Sequence, residues 1–163
     1  MIKSDTPKPR RHSKFPFRTR ESLRRYVPHL ITRLAHRWAA DQNVALAELG
    51  WNSTMMRILA SLSAHKELTI NELAVLSVTE QSTTSRTTES LVTTGLVSRE
   101  ISDSDQRVRT VGLTELGTAK LNEIGPVVND LYEKLIKDID EEELETCIRV
   151  LQKMTANICV NKI

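Results

Sequence analysis

Residues 79–117 read TEQSTTSRTTESLVTTGLVSREISDSDQRVRTVGLTELG, and the order of their residue types decides the fold. A hydroxyl-rich helix is predicted from Glu80 to about Thr94, with Thr79 as its N-cap and Gly95 as its stop. Alternating apolar residues then predict two short strands joined by SDSDQR, a polar turn of hairpin length. The stretch therefore predicts a helix that leads directly into a two-stranded hairpin.

The segment before this helix predicts a second, shorter helix and a tight turn. In TINEL the hydroxyl of Thr69 precedes Glu72 by three residues, which is the spacing of a capping box. Residues 77–79 are expected to form the turn into the hydroxyl-rich helix. Upstream, Asn52 or Ser53 is expected to cap a further helix. Helix, turn, helix and hairpin follow one another in the order of a winged helix-turn-helix.

Amphipathic helices are predicted on both sides of this unit. The first starts at Arg20 or Pro28, because proline begins a helix but is rarely found inside one. After Thr114, apolar residues step by three and four in the spacing of an a/d seam, which continues through Gly125–Pro126 with a kink. Asp140 is expected to cap a last helix. These helices carry more apolar surface than one small winged body covers, which favours a homodimer.

The outward face of the hydroxyl-rich helix suits the reading of base pairs. A glutamine can bond an adenine edge, an arginine can bond guanine, and serine or threonine serves bases or phosphates. Taken alone, the face also fits an ordinary solvent-exposed polar helix. Its candidate DNA-binding side chains are Gln81, Ser82, Thr83, Ser85 and Arg86.

The hairpin turn carries an arginine beside acidic residues, and it favours DNA over a plain polar surface. Asp105 can accept a hydrogen bond from Arg107 and fix a guanidinium that a narrow minor groove attracts. Arg109 on the same strand is expected near a flanking phosphate. The alternative is a local salt bridge worth at most about 1 kcal/mol. Helix and hairpin together predict a face that binds double-stranded DNA.

The predicted fold class is mainly α with a small β-hairpin, a winged helix-turn-helix with flanking N- and C-terminal dimerisation helices. A chain of 163 residues is long enough for one such domain with its own core. The expected parts are a basic, flexible N-terminal arm over 1–20 and a single winged helix domain over 21–163. Within that domain, 53–114 would be the DNA-binding part, and 21–49 and 115–163 the dimerisation helices.

The run from about residue 25 to the end of the chain resembles the MarR family of bacterial transcription regulators. EQSTTSR matches the start of that family's recognition helix, and RRYVPHLITRL resembles its first dimerisation helix. The family's G-L-V-x-R, D-x-D-x-R and L-T-x-x-G signature falls on Gly95, Leu96, Val97 and Arg99; on Asp103, Asp105 and Arg107; and on Leu113, Thr114 and Gly117.

The resemblance implies a triangular homodimer that places two recognition helices in adjacent major grooves of a pseudo-palindromic site. It implies groove and phosphate contacts for Ser82, Thr83, Ser85 and Arg86, with Asp105 and Arg107 at the hairpin tip. It also implies a repressor in the bacterial cytoplasm, associated with the nucleoid. In such a repressor a small ligand or an oxidant changes the spacing between the two recognition helices. A ligand pocket is then expected near His36, Trp38, Trp51 and His65, although packing explains both tryptophans equally well.

Positive charge is concentrated at the N-terminus. Residues 1–20 carry seven basic side chains and one acidic one, so the remainder of this +2 chain sums to −4. Residues 66–110 hold five basic and seven acidic side chains, whereas a DNA-reading module usually has a positive footprint. The N-terminal arm, or Arg33, Arg37 and Arg57, is expected to supply the missing electrostatic attraction to DNA. The alternative for the arm is a solvated tail or a segment that packs on a partner subunit.

Other function classes have little support in the sequence. The four histidines are scattered, and no metal-ligand spacing, glycine-rich phosphate loop or membrane-length apolar run occurs, so no enzyme, cofactor, metal site or membrane partner is expected. Cys147 and Cys159 fall in the last helix, too far apart for a disulfide. The resemblance argues against oxidant sensing, because family members that sense oxidants typically have a cysteine in the region of the first helix. The competing function is a helical homodimer that binds another protein without reading DNA.

Overall fold

The predicted mainly helical fold with one antiparallel hairpin is confirmed by a computed structural model, which describes residues 15–101 and 109–158. The elements in chain order are α1 Arg20–Arg24, α2 Val27–Ala47, α3 Ser53–Ala64, α4 Ile70–Leu76, α5 Gln81–Thr93, β1 Val97–Ile101, β2 Arg109–Leu113, α6 Glu115–Ile136 and α7 Glu141–Ile158. The chain divides into two compact units, residues 1–40 and residues 41–163.

The first unit contains a short capped helix beside an aromatic cluster. Thr19 caps α1 through a capping box with Ser22, whose backbone N–H lies 3.1 Å from the Thr19 hydroxyl. The Phe17 ring packs on Phe15 and on Tyr26, with ring centroids 5.8 and 4.7 Å apart respectively. The helix breaks between α1 and α2, so Pro28 lies in the first turn of α2, where its missing N–H costs nothing.

Helix caps in the second unit follow the predicted chemistry. The Asn52 side chain accepts hydrogen bonds from the backbone N–H groups of Thr54 and Met55, both at 3.0 Å, and so starts α3. Thr69 and Glu72 form the predicted capping box, with the Thr69 N–H 2.8 Å from the Glu72 carboxylate. That backbone hydrogen bond, helped by one from the Thr69 hydroxyl, lowers the pKa of Glu72. Both caps were predictable because they depend on local spacing alone.

The predicted cap of α5 was wrong by one residue. Glu80, not Thr79, is the N-cap, and no side chain caps this helix. The Glu80 carbonyl accepts from the Thr84 N–H at 2.9 Å, while the Thr79 hydroxyl donates to the carbonyl of Ser77 at 3.0 Å. Val78, with a φ of +51°, lies in the turn immediately before these two residues.

A compact apolar core joins α3, α4, α5 and the hairpin in the second unit. β1 and β2 pair antiparallel from Val97 opposite Leu113 to Ile101 opposite Arg109. Leu68 bridges to Val111 outside the hairpin through two backbone hydrogen bonds of 2.8 and 3.1 Å, so the hairpin is anchored next to α4. The largest fully buried apolar side chains are Leu46, Ile58, Leu59, Leu73, Leu91 and Val111.

The last two helices begin where the sequence predicts and carry a large exposed apolar surface. Thr114 caps α6, which continues through Pro126, and the Asp140 carboxylate accepts from the Glu143 N–H at 2.8 Å to start α7. No residue of α7 is buried. Exposed apolar side chains on these two helices and their connection include Tyr132, Leu135, Ile139, Ile148, Val150, Leu151 and Ile158. An exposed apolar surface of this size favours packing against another apolar surface, such as that of a second copy of the chain.

Candidate nucleic-acid interface

The turn between α4 and α5 is held by hydrogen bonds that converge on Ser77. The buried Ser77 hydroxyl donates to the carbonyl of Leu73 at 2.6 Å. The Ser77 carbonyl accepts from Arg57 Nε at 2.8 Å and from the Thr79 hydroxyl at 3.0 Å. Val78 adopts its left-handed conformation in this turn with 81% of its surface exposed, so its strain is held by its neighbours and not by its own packing. The direction of α5 is therefore fixed by α3 and α4.

The two sides of α5 differ sharply in burial. Thr84 and Thr88 are fully buried, one turn apart, and Leu91 continues the same inner side. Gln81, Ser82 and Arg86 are exposed, while Thr83 and Ser85 are half-buried, so all five predicted DNA-binding residues of α5 lie outside its buried side. A surface of this composition can donate to and accept from base edges and phosphates.

Two of these side chains have internal hydrogen bonds that limit what they can offer. Gln81 donates its amide group to the side-chain oxygen of Asn71 on α4 at 2.7 Å. The Gln81 side-chain oxygen can still accept a hydrogen bond from an adenine amino group. A bidentate contact with adenine would require the Gln81 amide group to leave Asn71 first. Arg86 Nε donates to the carbonyl of Ser82 at 3.3 Å, and this weak bond keeps the guanidinium along the first turn.

The hairpin is tied to α5 by a salt bridge. Arg99 on β1 lies 2.7 Å from the carboxylate of Glu89 on α5, and both side chains are partly exposed. Arg109 is exposed at the far end of β2, opposite Ile101. Asp103, Asp105 and Arg107, predicted for the hairpin tip, lie outside the described residues. The described base of the hairpin thus stands beside α5, as a winged reader requires.

The signature residues after α5 form one hydrogen-bonded joint. The Thr114 hydroxyl donates to the Gly95 carbonyl at 2.7 Å and accepts from the Gly117 N–H at 3.0 Å. Gly95 has a φ of +74°, a left-handed conformation that glycine adopts without a steric penalty. The end of α5, the start of β1 and the start of α6 therefore meet at one threonine.

Sequence reasoning missed three side chains that orient this surface. Arg57, suggested only as a source of attraction for DNA, holds the turn through its Nε. Asn71 engages Gln81, and Glu89 pairs with Arg99. The G-L-V-x-R signature could have drawn attention to Arg99, but no local pattern indicates its partner, because the two are joined only by the fold.

The residues predicted for a ligand pocket are divided between the two units. His36 is exposed and Trp38 half-buried on α2 in the first unit. In the second unit Trp51 belongs to the core, while His65 is exposed at the end of α3 beside an open hollow that Arg57 and Leu76 also line.

Another cavity of about 230 Å³ lies between α3 and α6 in the second unit. Its lining residues are Met56, Ala60, Ser63, Leu121, Ile124, Gly125, Val128 and Asn129. Within residues 15–101 and 109–158, no group of His, Cys, Asp or Glu side chains is arranged to hold a metal ion. In the same ranges no helix combines the length and apolarity needed to cross a membrane.

Comparisons with known proteins match this arrangement. The model of the MarR family matches residues 51–108. A MarR family transcriptional regulator from Silicibacter pomeroyi is 45% identical, with a TM-score of 0.81 over 86% of this chain and 93% of its own. A cysteine-to-serine mutant of Escherichia coli MarR, complexed with operator DNA, is 25% identical, with a TM-score of 0.68 over 78% of this chain and 92% of its own. The HTH-type transcriptional repressor IacR of Pseudomonas putida is 23% identical over 78% of this chain and 77% of its own.

Proposed function

Because the chain belongs to the MarR family and is a DNA-binding transcription regulator, we propose that it is a ligand-responsive repressor that binds a pseudo-palindromic site as a homodimer. In this proposal α5 enters the major groove, and the hairpin tip, with Arg107, enters the adjacent minor groove. The protein would act in the bacterial cytoplasm, at the nucleoid. Repression would follow from occlusion of the DNA that the dimer covers.

The observation that carries this proposal is the fixed orientation of a polar helix side. Thr84, Thr88 and Leu91 hold α5 against the core, and the bonds to Ser77 fix the turn that leads into it. Preorganised side chains lose less conformational freedom on binding than mobile ones do. The fixed turn and the buried side together give the exposed side of α5 one direction relative to the core, as a reading helix needs.

Within this face, each side chain has a proposed role. Gln81 would accept from an adenine edge, and Thr83, with Ser82 and Ser85, would bond bases or phosphates. Arg86 would bind guanine or a phosphate. At the hairpin, Asp105 would orient Arg107 in the minor groove, and Arg109 would bind a flanking phosphate.

Thr83→Ala and Arg86→Ala are each expected to weaken binding to cognate DNA by about 1–3 kcal/mol without lowering the melting temperature. The measurement is fluorescence anisotropy with a duplex from the region upstream of the protein's own gene. Ser90→Ala, an exposed change near the other end of α5, is the matched control and should bind like the wild type. If neither Thr83→Ala nor Arg86→Ala alters affinity, α5 is not the reading helix.

Arg107→Ala should likewise weaken DNA binding and leave the dimer and its melting unchanged. Wild-type affinity should also fall steeply between two salt concentrations, since each neutralised phosphate contributes about −0.9 to the log–log slope. Absent or salt-independent binding would favour the competing protein-interaction function. Equal loss of folding in Arg107→Ala would make that arginine a structural residue.

The cavity between α3 and α6 supports the ligand-responsive part of the proposal. Its lining is mainly apolar, with the Ser63 hydroxyl and the Asn129 amide as polar groups. α3 also holds the entry turn of α5 through Arg57, so a molecule that separates α3 from α6 would shift the reading helix. The chemistry fits a small molecule with an apolar body and one or two hydrogen-bonding groups.

Phenol and benzyl alcohol are suitable probes of this cavity. At ten times its Kd, a probe bound to the folded state should stabilise the protein by about 1.4 kcal/mol, measured as a shift in melting temperature. Ala60→Leu narrows the cavity and should abolish that shift, whereas Ala119→Leu, an exposed change on α6 outside the cavity, should retain it. An equal shift in both variants would place the ligand elsewhere.

A further inference from the structure

The open hollow beside α3 and α4 in the second unit combines apolar walls with an arginine. It has a volume of about 390 Å³. Arg57 and His65 line it, and none of its described lining residues is acidic. Its apolar walls are formed by Met56, Ala60, Ala64 and Leu76. We call this space the Arg57 hollow.

Arg57 has hydrogen-bonding capacity that the fold leaves unused. Its half-buried side chain donates from Nε to the carbonyl of Ser77 at 2.8 Å. The Nη groups of the guanidinium carry further N–H donors. Within residues 15–101 and 109–158, no hydrogen bond or carboxylate engages those donors. A cation that is partly removed from water without a counter-charge favours an anion beside it.

His65 is the weaker of the two candidates for contact with an anion. Hydrogen bonds from Thr69 lower the pKa of the Glu72 carboxyl, and electrostatic attraction from His65 adds to that shift. His65 therefore already has an acidic neighbour, whereas Arg57 forms no salt bridge with any carboxylate of the described residues. The anion is for this reason assigned to Arg57.

The same arginine connects the hollow to the reading helix. The Ser77 carbonyl that it bonds also accepts from the Thr79 hydroxyl at 3.0 Å, in the turn that enters α5. Val78, between them, has a φ of +51°, which a β-branched residue keeps only with support from its neighbours. A carboxylate is a stronger acceptor for a guanidinium than a neutral carbonyl is, because both partners are then charged. An anion in the hollow therefore competes with Ser77 for Arg57.

We propose that the Arg57 hollow binds a small carboxylate with an aliphatic body, and that its binding loosens the turn before α5 and weakens DNA binding. The carboxylate bonds the guanidinium, and the aliphatic body lies against Met56, Ala60 and Leu76. The binding step is independent of the proposed function, whereas its effect on DNA rests on that function. By linkage, bound DNA weakens carboxylate binding by the same factor.

Hexanoate is the probe for this site, and hexanamide, which is of similar shape and uncharged, is its comparison. Calorimetric titration of the full chain at constant ionic strength should give a Kd for hexanoate at least about tenfold lower than that for hexanamide. Saturating hexanoate should raise the Kd for duplex DNA by about fivefold or more. An equal concentration of chloride is the control, because salt alone weakens DNA binding.

Two neighbouring exposed residues separate this site from the cavity between α3 and α6. Ala64 lines the Arg57 hollow and Ser63 lines that other cavity, both at the end of α3. Ala64→Asp places a like charge in the hollow without changing Arg57 or Ser77, and should raise the Kd for hexanoate at least about tenfold. It should also make DNA binding insensitive to hexanoate. Ser63→Asp, with the same charge, and Ala64→Asn, with the same shape and no charge, should both bind hexanoate like the wild type.

Different outcomes would overturn different parts of the proposal. Equal affinity for hexanoate and hexanamide, or binding of neither, would remove the anion site. A Kd for hexanoate that rises as much in Ser63→Asp as in Ala64→Asp would remove its placement in the Arg57 hollow. Hexanoate that binds the wild type but leaves the Kd for DNA unchanged would remove the coupling through Arg57. If the wild type binds hexanoate in the hollow but no duplex at all, the proposed function and the coupling fail while the carboxylate site stands.

Discussion

Gly117→Ala is expected to destabilise the second unit by about 3 kcal/mol or more, since it combines overpacking with a damaged helix cap. A Cβ atom at Gly117 would overlap the carbonyl oxygen of Leu96 and lie 2.9 Å from its carbonyl carbon. The obstacle is backbone that continues into β1, so no side chain can rotate away. The Gly117 N–H also bonds the Thr114 hydroxyl, and any shift of α6 breaks that joint.

Gly125→Ala is the matched control in the same helix. Beyond its chain neighbours a Cβ atom there meets nothing within 4 Å. The gain in helix propensity of about 0.5–1 kcal/mol is offset by the contact of this Cβ with the following Pro126, so the change should alter stability far less than Gly117→Ala does. The free energy of unfolding of both variants can be measured by urea titration, with far-UV circular dichroism as the signal. If Gly117→Ala unfolds within about 1 kcal/mol of the wild type, the close approach of α6 to Leu96 is wrong.

Gly117 illustrates how far the sequence predicted this structure. The L-T-x-x-G signature identified the glycine and its spacing from Thr114, but not the reason for it. That reason is the approach of α6 to Leu96, a contact between chain segments some twenty residues apart. Local patterns of capping and periodicity predict where helices begin and end. The close packing of segments that are distant in sequence decides which positions can accommodate a Cβ atom.

The entry turn of α5 shows the same limit in another form. Thr79 has the residue type of a helix cap, and Val78 is a β-branched residue that rarely adopts positive φ. The fold nevertheless holds Val78 at +51° and shifts the cap to Glu80. The hydrogen bond from Arg57, twenty residues upstream, stabilises this arrangement and cannot be predicted from residue preferences.

The candidate DNA-binding surface was predictable where it depends on helical periodicity. Helical spacing places Thr84, Thr88, Leu91 and Val92 on one face of α5, and the structure buries the first three and half-buries Val92. The roles of the outward residues stay predictions, as do those at the hairpin tip. The expected ligand pocket depended on four residues far apart in sequence, and no local pattern shows that Trp51 packs into the core.

Leu151→Glu is expected to leave the chain folded, make it monomeric, and lower its affinity for a full pseudo-palindromic site by about 10²–10⁴-fold. Leu151 is 41% exposed in one chain and lies in the apolar stripe of α7, so a glutamate costs little in the monomer. Between two copies the same carboxylate would be buried without a partner, which is strongly unfavourable. Loss of the dimer removes the gain from binding two half-sites at once.

Thr146→Glu adds the same charge five residues earlier, on the opposite side of α7, and should stay dimeric with wild-type affinity. Sedimentation equilibrium separates a monomer of 18.5 kDa from a species of twice that mass, and anisotropy with full and half sites gives the affinities. A Leu151→Glu protein that remains dimeric would exclude the α7 stripe from the interface. A monomer that binds full sites as tightly as the wild type would show that pairing of subunits contributes nothing to recognition, because the second half-site would then add no affinity.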